Sequence, residues 1–334
     1  MTSPSHVPPR PPALPLGEGD NGEVVRDLQR RLLAAGLETL IDGVFGSHTT
    51  AALTSFQSGR GLKVTGACDS ATWAALVEAG FELGDRLLYL THPMTRGDDV
   101  AQLQQRLGGL GFDAGRIDGI FGPDTEGALR EFQRNSGLTV DGVSGPATLH
   151  HLNRLGNRID RPAAVAGVRE RERLRSAPRN LHQRKVVVAH GGGIDAIAHA
   201  LARSLGEAGA EVVVIQHRDP SEIARQANEF ASELLIDLEV GDAPTWCAYY
   251  RSGDFESTGG RRLAEIMTPT LIGVGLAGAP ARGMRLPTLR ESRMPAVLVH
   301  IGPTSEAVTN ASAITTACTE AIAAWIKDPL DPEV

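Results

Sequence analysis

The sequence predicts a multidomain chain: two small all-α modules of three helices each, then one α/β domain built on a largely parallel sheet. Two observations carry this. The segment IDGVFGSHTTAALTSFQSGRGLKVTG from Ile41 recurs as IDGIFGPDTEGALREFQRNSGLTVDG from Ile117, and repetition at a fixed spacing marks tandem modules. From Lys185 onward, β-branched runs alternate with segments of helical period, the pattern of a layered α/β fold. The expected divisions are a disordered Pro-rich tail over 1–17, modules over 18–80 and 94–152, an Arg-rich linker over 153–184, the α/β domain over 185–327, and a tail over 328–334.

Each module opens on a helix, VVRDLQRRL from Val24 and DVAQLQQRL from Asp99. Val25, Leu28 and Leu32 share one face, as do Val100, Leu103 and Leu107. Then comes an Asp-Gly-Φ-Phe-Gly turn, Asp42, Gly43, Phe45 and Gly46 in the first module and Asp118, Gly119, Phe121 and Gly122 in the second. Gly43 and Gly119 suit a positive φ, and the two phenylalanines face the core. Ser47 is placed to cap the second helix and Pro123 fits a first turn. That helix carries Thr49 with Ala52, Leu53 and Phe56, matched by Thr125 with Ala128, Leu129 and Phe132. A second glycine-flanked turn leads to a third helix holding Thr72 or Thr148.

Composition narrows the function classes. Net charge is −7, which gives no general attraction to nucleic acid or anionic membrane. Cys68, Cys247 and Cys318 are odd in number and not spaced as metal pairs, so they read as reduced thiols. Residues 1–16 hold six prolines and no continuous apolar run, unlike a signal peptide or an anchor. No transmembrane segment is expected, and the expected location is the cytoplasm.

The linker holds nine arginines against three acids. It reads as a solvated connector with a short helix around Val168–Arg175, supported by pairs such as Glu170 with Arg173. The sharper alternative is an electrostatic contact for an acidic protein, an anionic lipid or a phosphorylated precursor.

In the C-terminal region KVVVAH ends in Gly191-Gly192-Gly193 and leads to a helix with Ile197, Leu201 and Leu205 on one face. EVVVIQH, a helix over Glu222–Glu233, LLIDLEV, a helix over Arg261–Leu271, AVLVHIG and a helix over Glu306–Lys327 follow. A glycine run after a strand suits a phosphate site, but Gly191-Gly192-Gly193 does not continue as G-x-G-x-x-G, and the chain has no P-loop pattern. It also suits an oxyanion hole, but the chain contains no G-x-S-x-G elbow.

The repeats resemble the peptidoglycan-binding-domain-like modules of cell-wall hydrolases over 18–78 and 94–152. That resemblance implies a three-helix fold and binding of muropeptide or glycan, with Asp42, Gly43, Phe45, Gly46, Thr49, Asp118, Gly119, Phe121, Gly122 and Thr125 as its motif positions. Most of these read as turn and core scaffold. Residues 184–327 resemble the zinc-dependent N-acetylmuramoyl-L-alanine amidases. The match runs through VVVAHGGG, Arg218 and Asp219, Arg225, Ala227-Asn228, Tyr249-Tyr250, Arg282-Gly283, Leu289-Arg290 and MPAVLVHIG. Members of that family hold zinc with His, Glu and His, and a separate glutamate activates water.

Here the first ligand matches His190, the segment carrying the ligand Glu is deleted, and the second ligand His aligns with Glu239. The catalytic Glu position holds His300. His190 and Glu239 are therefore the candidate metal ligands, with His300 as a third member of a rearranged set, and no residue is assigned as catalytic. His199 and His217 read as surface or strand-end histidines. No cofactor is expected, with zinc required only if the amidase site works. The arrangement resembles the actinobacterial CwlM-type proteins, which implies a catalytically silent regulator or scaffold of wall-precursor synthesis. Its partners would be peptidoglycan fragments or precursors and proteins of that synthesis, with no nucleic acid. The alternative is an active zinc amidase cutting the muramic acid–L-alanine bond.

Overall fold

The computed structural model describes residues 14–156, 165–252 and 255–330. The start of the Pro-rich tail, the middle of the linker and the last four residues lie outside these. The end of the tail is not disordered, since Leu16 is buried in the first module's core and pairs with Cys68 through both backbone groups. The chain divides into two compact units, one reaching to Phe81 and one beginning at Glu82.

The first unit holds α1 (Glu23–Ala34), α2 (Ser47–Gly59) and α3 (Ser70–Ala79). Val25, Leu28 and Leu32 of α1 meet Leu53 and Phe56 of α2 and Leu76 of α3 around Phe45. The phenylalanine of the turn is thus a core anchor, a burial that contributes about 1.5–3 kcal/mol. Gly43 has φ 78°, as the turn demands. Ser47 does not cap α2. Gly46 occupies the N-cap and no side chain bonds there, whereas Asp69 caps α3 by accepting from Thr72 N at 2.7 Å.

The second unit begins with the matching helices α4 (Asp98–Gly109), α5 (Pro123–Asn135) and α6 (Pro146–Gly156). Their core of Val100, Leu103, Leu107, Leu129 and Phe132 closes on Phe121. Pro123 sits in the first turn of α5, as the sequence predicts. Next comes α7 (Val165–Ser176), the helix expected in the linker, but it is not merely a solvated connector. Leu174 is buried in the α/β core. Glu170 does not pair with Arg173. It accepts from Ser257 Oγ at 2.6 Å and Thr258 N at 3.1 Å, at the start of a later helix, where the helix dipole favours an anion.

The remainder forms β1 (Lys185–His190), α8 (Asp195–Glu207), β2 (Glu211–Gln216), α9 (Pro220–Glu229), β3 (Leu234–Val240), β4 (Trp246–Ser252), β5 (Phe255–Glu256), α10 (Thr258–Gly273), β6 (Arg282–Met284), α11 (Pro287–Glu291), β7 (Ala296–Ile301), α12 (Thr304–Thr309) and α13 (Ala311–Lys327). Strand order is β2-β1-β3-β7-β4-β5, with β6 also on β4. The four strands read from sequence are mutually parallel. The sequence reading missed β4, which is antiparallel to β7, and the short β5 and β6, so the sheet is mixed but mostly parallel. The last helix is also divided, with Asn310 between α12 and α13.

Alternation along the strands sends residues to two cores. Val186, Val188, Ile236 and Leu238 face α8, α10 and α13. Val187, Ala189, Leu235 and Leu298 face the opposite way, toward α9 and α11. Among the described residues no helix is long and apolar enough to cross a membrane.

Candidate functional site

The turns of the repeats are organised by glutamines that sequence reasoning overlooked. Gln104 of α4, 2% exposed, donates through Nε2 to Asp118 Oδ1 at 2.9 Å, Ile120 O at 3.1 Å and Thr125 Oγ1 at 3.1 Å. Its Oε1 accepts from Asp118 N at 3.1 Å and Gly119 N at 2.9 Å. Gln29 does the same with Asp42, Val44, Thr49 and Gly43 N. The second turns repeat the device, Gln57 with Thr65, Gly66 and Thr72 and Gln133 with Asp141, Gly142 and Thr148.

Every module is therefore a nested pair of one motif: a helix glutamine, an Asp/Thr-Gly turn, and a threonine on the following helix. The amide supplies donor and acceptor together, so it satisfies a turn and the next helix at once. The expected motif positions Asp42, Gly43, Thr49, Asp118, Gly119 and Thr125 are all partners in this scaffold. Phe45 and Phe121 are core, and Gly46 and Gly122 are N-caps.

The two aspartates have opposite electrostatics. The Val44 N–H and then Gln29 hold the Asp42 carboxyl below the usual range. Burial raises that of Asp118, against the pull of Gln104, Ile120 N, Arg290 and Arg116.

In the α/β domain, open parallel sheets place functional groups beyond the carboxyl ends of the strands, and here His190 ends β1 while Glu239 and His300 stand one residue before the ends of β3 and β7. His190 is in register with Leu238, and Glu239 with His300. Register partners share a face and successive residues alternate, so His190 lies on one face of the sheet and Glu239 with His300 on the other. The His190 ring is fully buried and neither nitrogen has a hydrogen-bond partner. It lies 6.5 Å from the His199 ring, and burial lowers its pKa, with Asp195 opposing and His199 adding.

Across the sheet, His300 Nδ1 stands 3.6 Å from Glu239 Oε1. The imidazole stacks on Trp246 at 5.1 Å with planes 7° apart, and the Arg282 guanidinium lies 4.0 Å from the indole centre. Gly241 packs directly against the imidazole, and a Cβ there would lie 2.7 Å from His300 Cε1. Trp246 and Gly241 carried no recognisable signal in the sequence, since their role depends on β4 lying beside β7.

The zinc set read from the sequence is not assembled. The candidate ligands His190 and Glu239 are separated by the sheet, and His300 packs as a stacked, walled ring. Among the described residues no three His, Cys, Asp or Glu side chains are gathered to hold a metal. The residues at these positions do not fit a three-ligand zinc centre, which needs converging donors at about 2.0–2.3 Å. His199 and His217 are not drawn in, each contacting local backbone, Asp195 O and Asp219 O respectively.

Comparison with known proteins follows the same division. Residues 21–76 and 96–152 match the family described as "Putative peptidoglycan binding domain". The chain is 34% identical to N-acetylmuramoyl-L-alanine amidase CwlM of Mycobacterium tuberculosis, over 85% of this chain and 80% of that protein. It is 32% identical to N-acetylmuramoyl-L-alanine amidase CwlL of Bacillus licheniformis, over 42% of this chain and 45% of that one. Among solved structures it is similar to an N-acetylmuramoyl-L-alanine amidase of Clostridium difficile 630, at 18% identity and TM-score 0.37, over 44% of this chain and 98% of that one. The chain belongs to the CwlM-related N-acetylmuramoyl-L-alanine amidase family, with tandem peptidoglycan-binding modules ahead of an amidase-type α/β domain.

Proposed function

We propose that this protein binds peptidoglycan fragments or precursors and acts in the cytoplasm as a regulator or scaffold of wall-precursor synthesis, its amidase domain being catalytically silent. The observation that carries this is the placement of His190 and Glu239 on opposite faces of the sheet, and the resemblance that sets His300 where the family's glutamate would activate water supports it. Losing a positioned acid–base group costs about 10²–10⁴ in rate even when the rest of a site is intact. Three free, buried cysteines suit a reducing compartment. The modules supply the affinity for wall material, and protein partners receive the signal.

The second reading is an active amidase, favoured by the relatives that bear that name at 34% and 32% identity. Incubating the purified chain with muropeptides, with and without zinc, separates the two. Binding by calorimetry with no released peptide is expected. Release of free peptide that stops in His190→Ala would establish the amidase instead.

A further inference from the structure

The repeats differ at one helix position that decides what holds each turn. In the first module Arg26 of α1 donates to Asp42 O at 3.1 Å, and a Cβ on Gly43 would lie 3.1 Å from its Nη2. The corresponding residue of α4 is Ala101. There the Asp118 carbonyl accepts instead from Nε of Arg290, on α11 of the α/β domain. A Cβ on Gly119 would lie 3.3 Å from Arg290 Nη2 and 3.6 Å from the Ala101 Cβ. One guanidinium has replaced the other at the same place on the turn.

The surroundings agree. Ile117 is 6% exposed within the apolar cluster of Tyr250 and Leu289, whereas its counterpart Ile41 is 41% exposed. Tyr250 donates to Ile117 O at 2.8 Å. Arg116, the residue inserted in the second repeat, lies 4.8 Å from the Tyr250 ring centre and donates to Ser292 O. Arg96 pairs with Glu291 through both oxygens. Planar guanidinium groups favour such forked and stacked contacts.

We propose that the α/β domain carries a receptor for the Ile-Asp-Gly turn of a peptidoglycan-binding-type module, centred on Arg290 and Tyr250, and that the helix residue at position 101 selects the repeat it accepts. A small side chain admits Arg290. An arginine, as at position 26, fills the place from within and excludes it. The second repeat is thereby a fixed part of the α/β domain, and this holds whatever ligand the modules take.

The test uses the full chain and amide exchange across 114–117 and 287–292. Ala101→Arg is expected to speed exchange in both segments about tenfold or more while the α5 core stays protected, since the first module folds with arginine at that position. Arg290→Ala is expected to do the same, and Ala101→Arg combined with Arg290→Ala no more than either alone. Arg26→Ala is expected to leave both segments unchanged. Unchanged exchange in Ala101→Arg with a protected α5, or additive effects in the double variant, would overturn the proposal. Loss of α5 protection in Ala101→Arg would also count against it, because the position would then serve the module's own fold and not the choice of partner.

Discussion

Replacing Gln104 by leucine tests whether one side-chain amide organises the turn of the second module. Five hydrogen bonds are lost, but not all leave an orphan. Ile120 O still accepts from Gly122 N, Thr125 Oγ1 still donates to Ala114 O, and Asp118 Oδ1 keeps Ile120 N. The groups stranded are Asp118 N and Gly119 N. A buried donor left unsatisfied costs about 1–3 kcal/mol, so the pair costs about 2–6 kcal/mol. The leucine returns part of this through its buried methyls, on the order of 1–2 kcal/mol. The expected net loss is about 3 kcal/mol, read from exchange of the α5 core amides as denaturant is raised. Gln104→Glu sharpens the test. It keeps the acceptor but turns the donor toward Asp118 Oδ1 into a second carboxylate, and paired carboxylates oppose ionisation. That variant is expected to be least stable at neutral pH and to recover on acidification. A Gln104→Leu protein within 0.5 kcal/mol of the parent, or a Gln104→Glu protein indifferent to pH, would refute the scaffold role.

Three further outcomes are expected. Gly241→Ala puts a methyl where His300 Cε1 already stands and is expected to lower stability by about 1–3 kcal/mol; thermal unfolding should show the loss, and its relief when His300→Ala makes room. Zinc offered against a chromogenic chelator of micromolar affinity should remain with the chelator, because His190 and Glu239 lie on opposite faces of the sheet; one equivalent retained by the protein and lost in both His190→Ala and Glu239→Ala would contradict that placement. The depressed Asp42 carboxyl gives stability that is present above its unfolded pKa and lost as pH falls through the folded one. Asp118, raised by burial, works in reverse: the folded state holds its proton more tightly, so its penalty is relieved as pH falls from the folded value toward the unfolded one. Unfolding followed against pH in Asp42→Asn and Asp118→Asn should therefore depart from the parent in opposite directions.

What could be read from sequence depended on whether the signal was local. The helices of the repeats were legible because Val25, Leu28 and Leu32 recur at helical spacing, and their turns because Asp-Gly fixes a backbone shape. The four parallel strands were legible as β-branched runs. β4 was not, since WCAYYRS is neither alternating nor β-branched, and its burial on both faces comes from the two cores, Cys247 and Tyr249 in one and Trp246, Ala248 and Tyr250 in the other. The four glutamines escaped for a related reason. A glutamine on a helix is ordinarily a solvated residue, and only the folded turn reveals that Gln29, Gln57, Gln104 and Gln133 are buried. Strand period could have separated His190 from Glu239, but only once the register of β1 on β3 was known.

The same kind of packing recurs in both parts of the second unit, a side chain filling a place beside a bare glycine backbone. In the α/β domain, His300 settles against Trp246 and the bare backbone of Gly241, and a ring so packed is held in place. In the second module, Arg290 takes the place that Arg26 holds in the first. On the proposed reading, the first leaves the carboxyl ends of the strands without a catalytic group. The second joins a binding-type module to the flank of the same sheet. On the same reading, the α/β domain serves to hold its neighbours in place. Arg290 is where that role is most open to test, because its hydrogen bonds run to Asp118 O and Gly119 O of the second module. A variant there that frees the second module while leaving the His300–Trp246 stack intact would separate the assembling role of the domain from any residual chemistry.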